Sequence, residues 1–154
     1  KALSELEKIR SSEGENIQED IKLRLDNLIN SVEKIRSIVS ENRDKSMKQY
    51  KQKLKDLIED VNIDETRLYQ EIAILSEKRD ITEELVRLDS HFDLFGDFMN
   101  ANDSNGKKIN FLLQEIGREI NTICSKTVII DINHLCVDMK DELEKIREQV
   151  QNIV

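Results

Sequence analysis

Residues Gly106 to Lys126, GKKINFLLQEIGREINTICSK, carry the pattern that decides the fold. Ile109, Leu112, Leu113, Ile116, Ile120 and Ile123 recur at intervals of three and four, which is one stripe of an α-helix. The other side carries Gln114, Glu115, Arg118, Glu119, Thr122 and Lys126. Glu115 and Glu119 lie one turn apart, so both carboxylates leave the helix in the same direction, with Arg118 between them. An ordinary solvated face interchanges Lys and Glu. A mixture of Gln, Glu, Arg, Asn, Thr and Ser within little more than two turns reads as a specified polar surface.

Working outward, the same period returns on both sides. Upstream, Ile17, Ile21, Leu25, Leu28, Val32, Ile35 and Val39 form one stripe, preceded by Leu3, Leu6 and Ile9. Gly14, which costs about 1 kcal/mol inside a helix, predicts a kink or break. Residues 40–46, SENRDKS, predict a helix end, before Tyr50, Leu54, Leu57, Ile58 and Val61 resume the period. Asn62 to Glu65 has cap chemistry, and a helix over about 65–78 should bury Leu68, Ile72 and Leu75. Asp80-Ile-Thr-Glu83 matches a capping box and opens a helix to about Met99 that should bury Leu85, Leu88, Phe92 and Phe95. Residues 100–106, NANDSNG, form a loop. Residues 127–131 end the central helix. The last helix then carries Ile132, Cys136, Met139, Leu143, Ile146, Val150 and Ile153, a coiled-coil-like seam that wants a partner in the chain or from another subunit. No strand pattern stands against these. The expected class is all-α, with long helices in an antiparallel bundle and a coiled-coil-like C-terminal helix.

Composition agrees. The 154 residues hold no proline, four glycines and 36% charged residues, a long-helix profile. The net charge of −8 supplies no global attraction to nucleic acid, so any such contact needs a local basic patch or a metal. Lys48, Lys51, Lys53 and Lys55 read as a solvated face. Cys124 and Cys136, with no CxxC spacing, are expected as free core thiols in a reducing cytosol. No apolar run is long enough for a membrane span.

Three polar clusters share helical faces: Arg67, Gln70 and Glu71; Glu83, Glu84, Arg87 and His91; and Glu115, Arg118, Glu119, Thr122 and Lys126. Paired carboxylates bind Mg2+ or Mn2+ through oxygen. Arginine and lysine beside them can hold phosphate. Imidazole is the side chain suited to proton transfer near neutral pH. The plainer reading stands beside this one. A Glu and an Arg one turn apart are commonly a surface pair worth about 0.3 to 0.5 kcal/mol, Glu83 serves the cap, and His91 and His134 are structural.

Three blocks, RLYQEIAILSEKRDITEELVRLDSH (67–91), GKKINFLLQEIGREINTICSK (106–126) and ELEKIREQVQNI (142–153), resemble the C-terminal domain of the YicC/YloC family of bacterial endoribonucleases. ALSELEKIRSSEG (2–14) and DIKLRLDNL (20–28) resemble the helical stretch preceding that domain. This sets an expected division at 1–61 and 62–154. The resemblance implies a metal-dependent RNA endonuclease of the bacterial cytoplasm, a homo-oligomer with a hexamer expected of the full-length protein, whose mixed α/β N-terminal half is not in this chain. On that reading His91, Glu84, Glu115 and Glu119 are the catalytic candidates. Glu71, Glu84, Glu115 and Glu119 would hold Mg2+ or Mn2+, and Arg67, Arg87, Arg118 and Lys126 would hold RNA. Asn110 stands where the family commonly has Asp, Gly117 where Asn is common, and Val154 at a usual Glu. The alternative is a helical oligomerisation or RNA-binding module with no catalytic activity of its own.

Overall fold

The computed structural model describes the backbone of residues 2–58, 65–101 and 106–153, and within them all side chains except those of 2–12, 43–51, 53–55, 57–58, 65, 68 and 152–153. Every regular element among the described residues is helical: α1 (Ala2–Ile58), α2 (Glu65–Lys78), α3 (Thr82–Asn100), α4 (Gly106–Lys126) and α5 (Ile130–Ile153). Four of them close a ring. α1 packs on α3 and α5, and α4 packs on the same two helices. Each neighbouring pair is antiparallel. Gln18 reaches the Met99 carbonyl while Arg36 reaches Asp89. Arg24 meets Glu142 while Asp20 meets Gln149. The all-α antiparallel bundle read from the periodicity is the observed fold.

The stripes account for the packing. Ile21, Leu28, Val32 and Ile35 of α1, Leu85, Leu88, Phe92 and Phe95 of α3, all six stripe residues of α4, and Ile132, Cys136, Met139, Leu143, Ile146 and Val150 of α5 form one buried cluster. The α5 seam therefore has its partners, α1 and α4, within the chain. Gly117 lets α4 and α5 approach closely: a β-carbon there would stand 3.2 Å from Leu143 Cδ2.

Local expectations differ in places. α1 runs unbroken through Gly14 and through residues 40–46. A lone glycine costs too little to interrupt a helix whose flanks are both helical. Leu75 is exposed and Ile72 half-buried, because α2 packs on no other helix closely enough to cover them. Leu68, Ile153 and the Tyr50–Val61 stripe lie outside the described side chains, as do Leu3, Leu6, Ile9 and the lysines at 48, 51, 53 and 55. At the start of α3, Asp80 Oδ1 accepts from the Thr82 backbone N–H at 2.9 Å and from its hydroxyl. Ile81 occupies the cap position, and Glu83 accepts from Arg87. Thr127 Oγ1 accepts from the Ile129 N–H at 3.2 Å in the three-residue link to α5.

Charges close the outer seams. Glu142 on α5 accepts from Arg24 at 3.3 Å, from Asn27 at 3.4 Å and from Lys145 at 3.0 Å. Burial opposes the Glu142 carboxylate, yet these hydrogen bonds and the flanking cations hold it below the ordinary range. The hydrogen bond from Arg24 does the same for Asp20. Both groups are depressed in the folded chain, so their stabilisation is complete above the ordinary carboxylate range and is lost as pH falls through the folded values. Glu142→Gln should lower stability by about 0.5 to 1 kcal/mol at pH 7. The gap from wild type should close as pH falls below about 4, as read by thermal melts at both pH values.

Candidate functional site

The α3/α4 seam gathers most of the polar residues singled out by the sequence. Glu84 and Glu119 are the two buried charged side chains among the described residues, 5% and 3% exposed. A carboxylate out of water needs a cation or a donor, and each has one from the facing helix. Lys126 Nζ of α4 donates to Glu84 Oε1 at 2.7 Å and to the Asp80 carbonyl at 3.0 Å. Arg87 Nη1 of α3 donates to Glu119 Oε1 at 3.3 Å, and its Nη2 binds Glu83. The hydrogen bond that Arg87 donates to Glu119 and the charges of Glu83 and Glu119 raise the guanidinium above its ordinary value, fixing it as a cation.

Register extends the cluster. Arg87 faces Glu119, and Lys108 lies over the Phe98 ring at the other end of the same antiparallel pair. Four residues on from Arg87 and four back from Glu119, His91 and Glu115 are therefore level with one another. Glu115 accepts from Arg118 on its own helix at 3.3 Å. Two buried polar atoms here lack a partner, Glu84 Oε2 and His91 Nδ1.

Six of the nine sequence candidates, His91, Glu84, Glu115, Glu119, Arg87 and Lys126, thus lie along one seam. Arg118 sits on the outer face of α4 beside it. Arg67 and Glu71 do not join them; both are exposed on α2. Asn110 lies nine residues before Glu119, half a helical turn away in direction, so it projects from the opposite edge of α4. The substitution of Asn for Asp there does not touch this cluster. Among the described residues no three His, Cys, Asp or Glu side chains gather to hold a metal. Glu84 Oε2 is the buried carboxylate oxygen among the described residues that has no hydrogen-bond partner. A cation of the Mg2+ kind takes one or two carboxylates and fills its shell with water and substrate phosphate. The cross-helix partnerships are what sequence reading missed, because faces can be read from spacing but facing residues cannot. The two cysteines are free thiols. Cys136 is buried, and burial with Cys124 close by pushes it up to about 11.

An antiparallel helical bundle with a paired acid–base seam defines the class: an all-α domain with a polar site built across two helices. The family described as endoribonuclease YicC-like, C-terminal, matches residues 32–154. The chain belongs to that family. A probable endoribonuclease YicC of Clostridioides difficile (strain 630) is 46% identical over 157 residues, covering 99% of this chain and 52% of the relative. A protein of the same name from Haemophilus influenzae is 32% identical over 145 residues, covering 94% of this chain and 50% of the relative. The chain spans about half the length of these curated relatives.

The seam makes a stability prediction. Lys126→Met leaves Glu84 buried without its cation and should cost roughly 2 to 3 kcal/mol. Adding Glu84→Leu should recover most of that loss. Urea midpoints of wild type, single and double variants at constant denaturant slope would check this.

Proposed function

We propose that the protein is an endoribonuclease and that the α3/α4 seam belongs to its reaction centre. The observation that carries this is the pair of unpartnered buried polar atoms, Glu84 Oε2 and His91 Nδ1, on one face of α3. A seam serving stability alone is expected to satisfy such atoms. Family membership supports the reading, since the similar proteins carry the name probable endoribonuclease YicC.

His91 takes a proton from the attacking oxygen or returns one to the leaving oxygen of the phosphodiester. Glu115, level with it, orients the imidazole or shares the proton. Arg87 is 53% exposed despite its two carboxylate partners, and Arg118 stands at the rim at 72%. Both can face the charge that builds on the phosphate. Glu119 holds Arg87 in place, and Lys126 holds Glu84 through Oε1, leaving the buried Oε2 without a hydrogen-bond partner. A divalent cation, Mg2+ or Mn2+, would neutralise phosphate charge and activate water when bound with the RNA. Arg67 on α2 extends the RNA contact in an assembled protein of the bacterial cytoplasm. No described helix is long and apolar enough to cross a membrane.

A specific observation favours the second reading, that of an assembly module. Tyr69, Ile74 and Leu75 of α2 are 63%, 46% and 47% exposed, an apolar surface suited to another subunit. The two readings are separated by cleavage of a labelled RNA. His91→Ala should slow it about 10²-fold or more, and Glu115→Ala and chelation by EDTA should each reduce it, with helical circular dichroism unchanged. Wild-type rates in all three would end the nuclease reading of this seam.

A further inference from the structure

The α4/α5 seam is unlike the other three. Among the described residues, α1/α3 is tied by Arg36 to Asp89, α1/α5 by Arg24 to Glu142, and α3/α4 by Arg87 to Glu119 and Lys126 to Glu84. No ion pair crosses α4/α5 among the described residues. Instead an open groove of about 920 Å³ runs over the Gly117–Leu143 contact. Its charged lining is Arg118, Lys140 and Arg147 against the single acid Glu144, in a chain of net charge −8. A local excess of cations on an acidic molecule is what phosphate contact requires of it.

These cations are also cheap to redirect. Among the described residues Arg118 pairs only with Glu115 of its own helix, and Arg147 only with Glu144 of its own helix at 2.6 Å. Lys140 makes no ion pair among the described residues. Such one-turn pairs contribute only a few tenths of a kcal/mol, so phosphate can displace them. Arg87 and Lys126 differ, being tied to buried carboxylates. Gln114 and Asn121 add exposed amides able to donate and accept, as ribose hydroxyls and base edges require.

We propose that the α4/α5 groove is an RNA-backbone track, separate from the α3/α4 seam and one helix width from it, with Arg118 on the outer face of α4 joining the two. The lining from Gln114 to Ser125 spans about 16 Å of helix, longer than one nucleotide, so the track holds a strand and not a lone phosphate. This rests on the endoribonuclease reading, which names RNA as the occupant. The track sets where the strand lies, and the seam acts on it.

The test is fluorescence anisotropy of a labelled single-stranded RNA with wild type and Arg118→Gln/Lys140→Gln/Arg147→Gln, across a salt series. Three lost phosphate contacts should weaken binding roughly tenfold or more at low salt and flatten the log–log salt slope by about 2. Lys22→Gln/Lys34→Gln on α1 should leave both unchanged, and circular dichroism should match wild type throughout. Unchanged affinity and slope in the triple variant, or no RNA binding by wild type at low salt, overturns the track. Equal binding of poly-glutamate and RNA also overturns it, by showing a general anion surface. Cleavage in the same samples keeps the two readings apart. Lost binding in the triple variant with no cutting by wild type leaves the track standing and fails the nuclease. Intact binding in the triple variant with normal cutting does the reverse.

Discussion

Six aliphatic side chains on one face of α4 are shut away from water, and the rest of the molecule is arranged to keep them so. Burying an Ile or Leu gains roughly 1.5 to 3 kcal/mol each relative to exposure, and no single neighbour can cover a stripe over a hundred degrees wide. α3 covers one flank and α5 the other, and α1 completes the ring against both. The flanks of α4 are then forced to be seams. What stands at the stripe's edges, Glu119 and Lys126 on one side, Gly117 and Asn121 on the other, is fixed in position by the packing of Leu113, Ile116 and Ile120.

The two seams of α4 resolve the same problem in opposite ways. Toward α3, carboxylates are carried below the surface and met by cations from the facing helix, with two polar atoms left over. Toward α5, glycine draws the helices together and the cations remain at the surface, loosely held by neighbours on their own helices. Buried pairs of the first kind resist exchange, because separating them strands a charge in a poorly solvated place. Surface pairs of the second kind exchange readily. One helix thus carries a rigid polar seam and an adaptable one, about a helix diameter apart.

Most of the bundle was readable from spacing. Each buried residue named for α3 and α4 is buried, as are the described seam residues of α5, because an apolar period of 3.6 leaves no other way to remove that surface from water. The failures share a cause. Gly14 and residues 40–46 looked like breaks, yet local propensity is a weak force against a helix continuous on both sides. Leu75 looked buried by its period, but a stripe is covered only if another element packs over it, and among the described residues no helix packs closely over α2. The capping box at Asp80 was right about the residue and one place off about the cap, because Thr82 takes the aspartate and Arg87 takes Glu83.

The candidate site divides in the same manner. Sequence alone determined the fold class and the polar faces, since side-chain direction along a helix follows from residue number. It could not say that Lys126 faces Glu84, that Arg87 faces Glu119, or that Glu71 and Arg67 stand apart from both. Those facts depend on which helices are neighbours and how far one has slid along the other. Only the packing of the four stripes against one another decided that register.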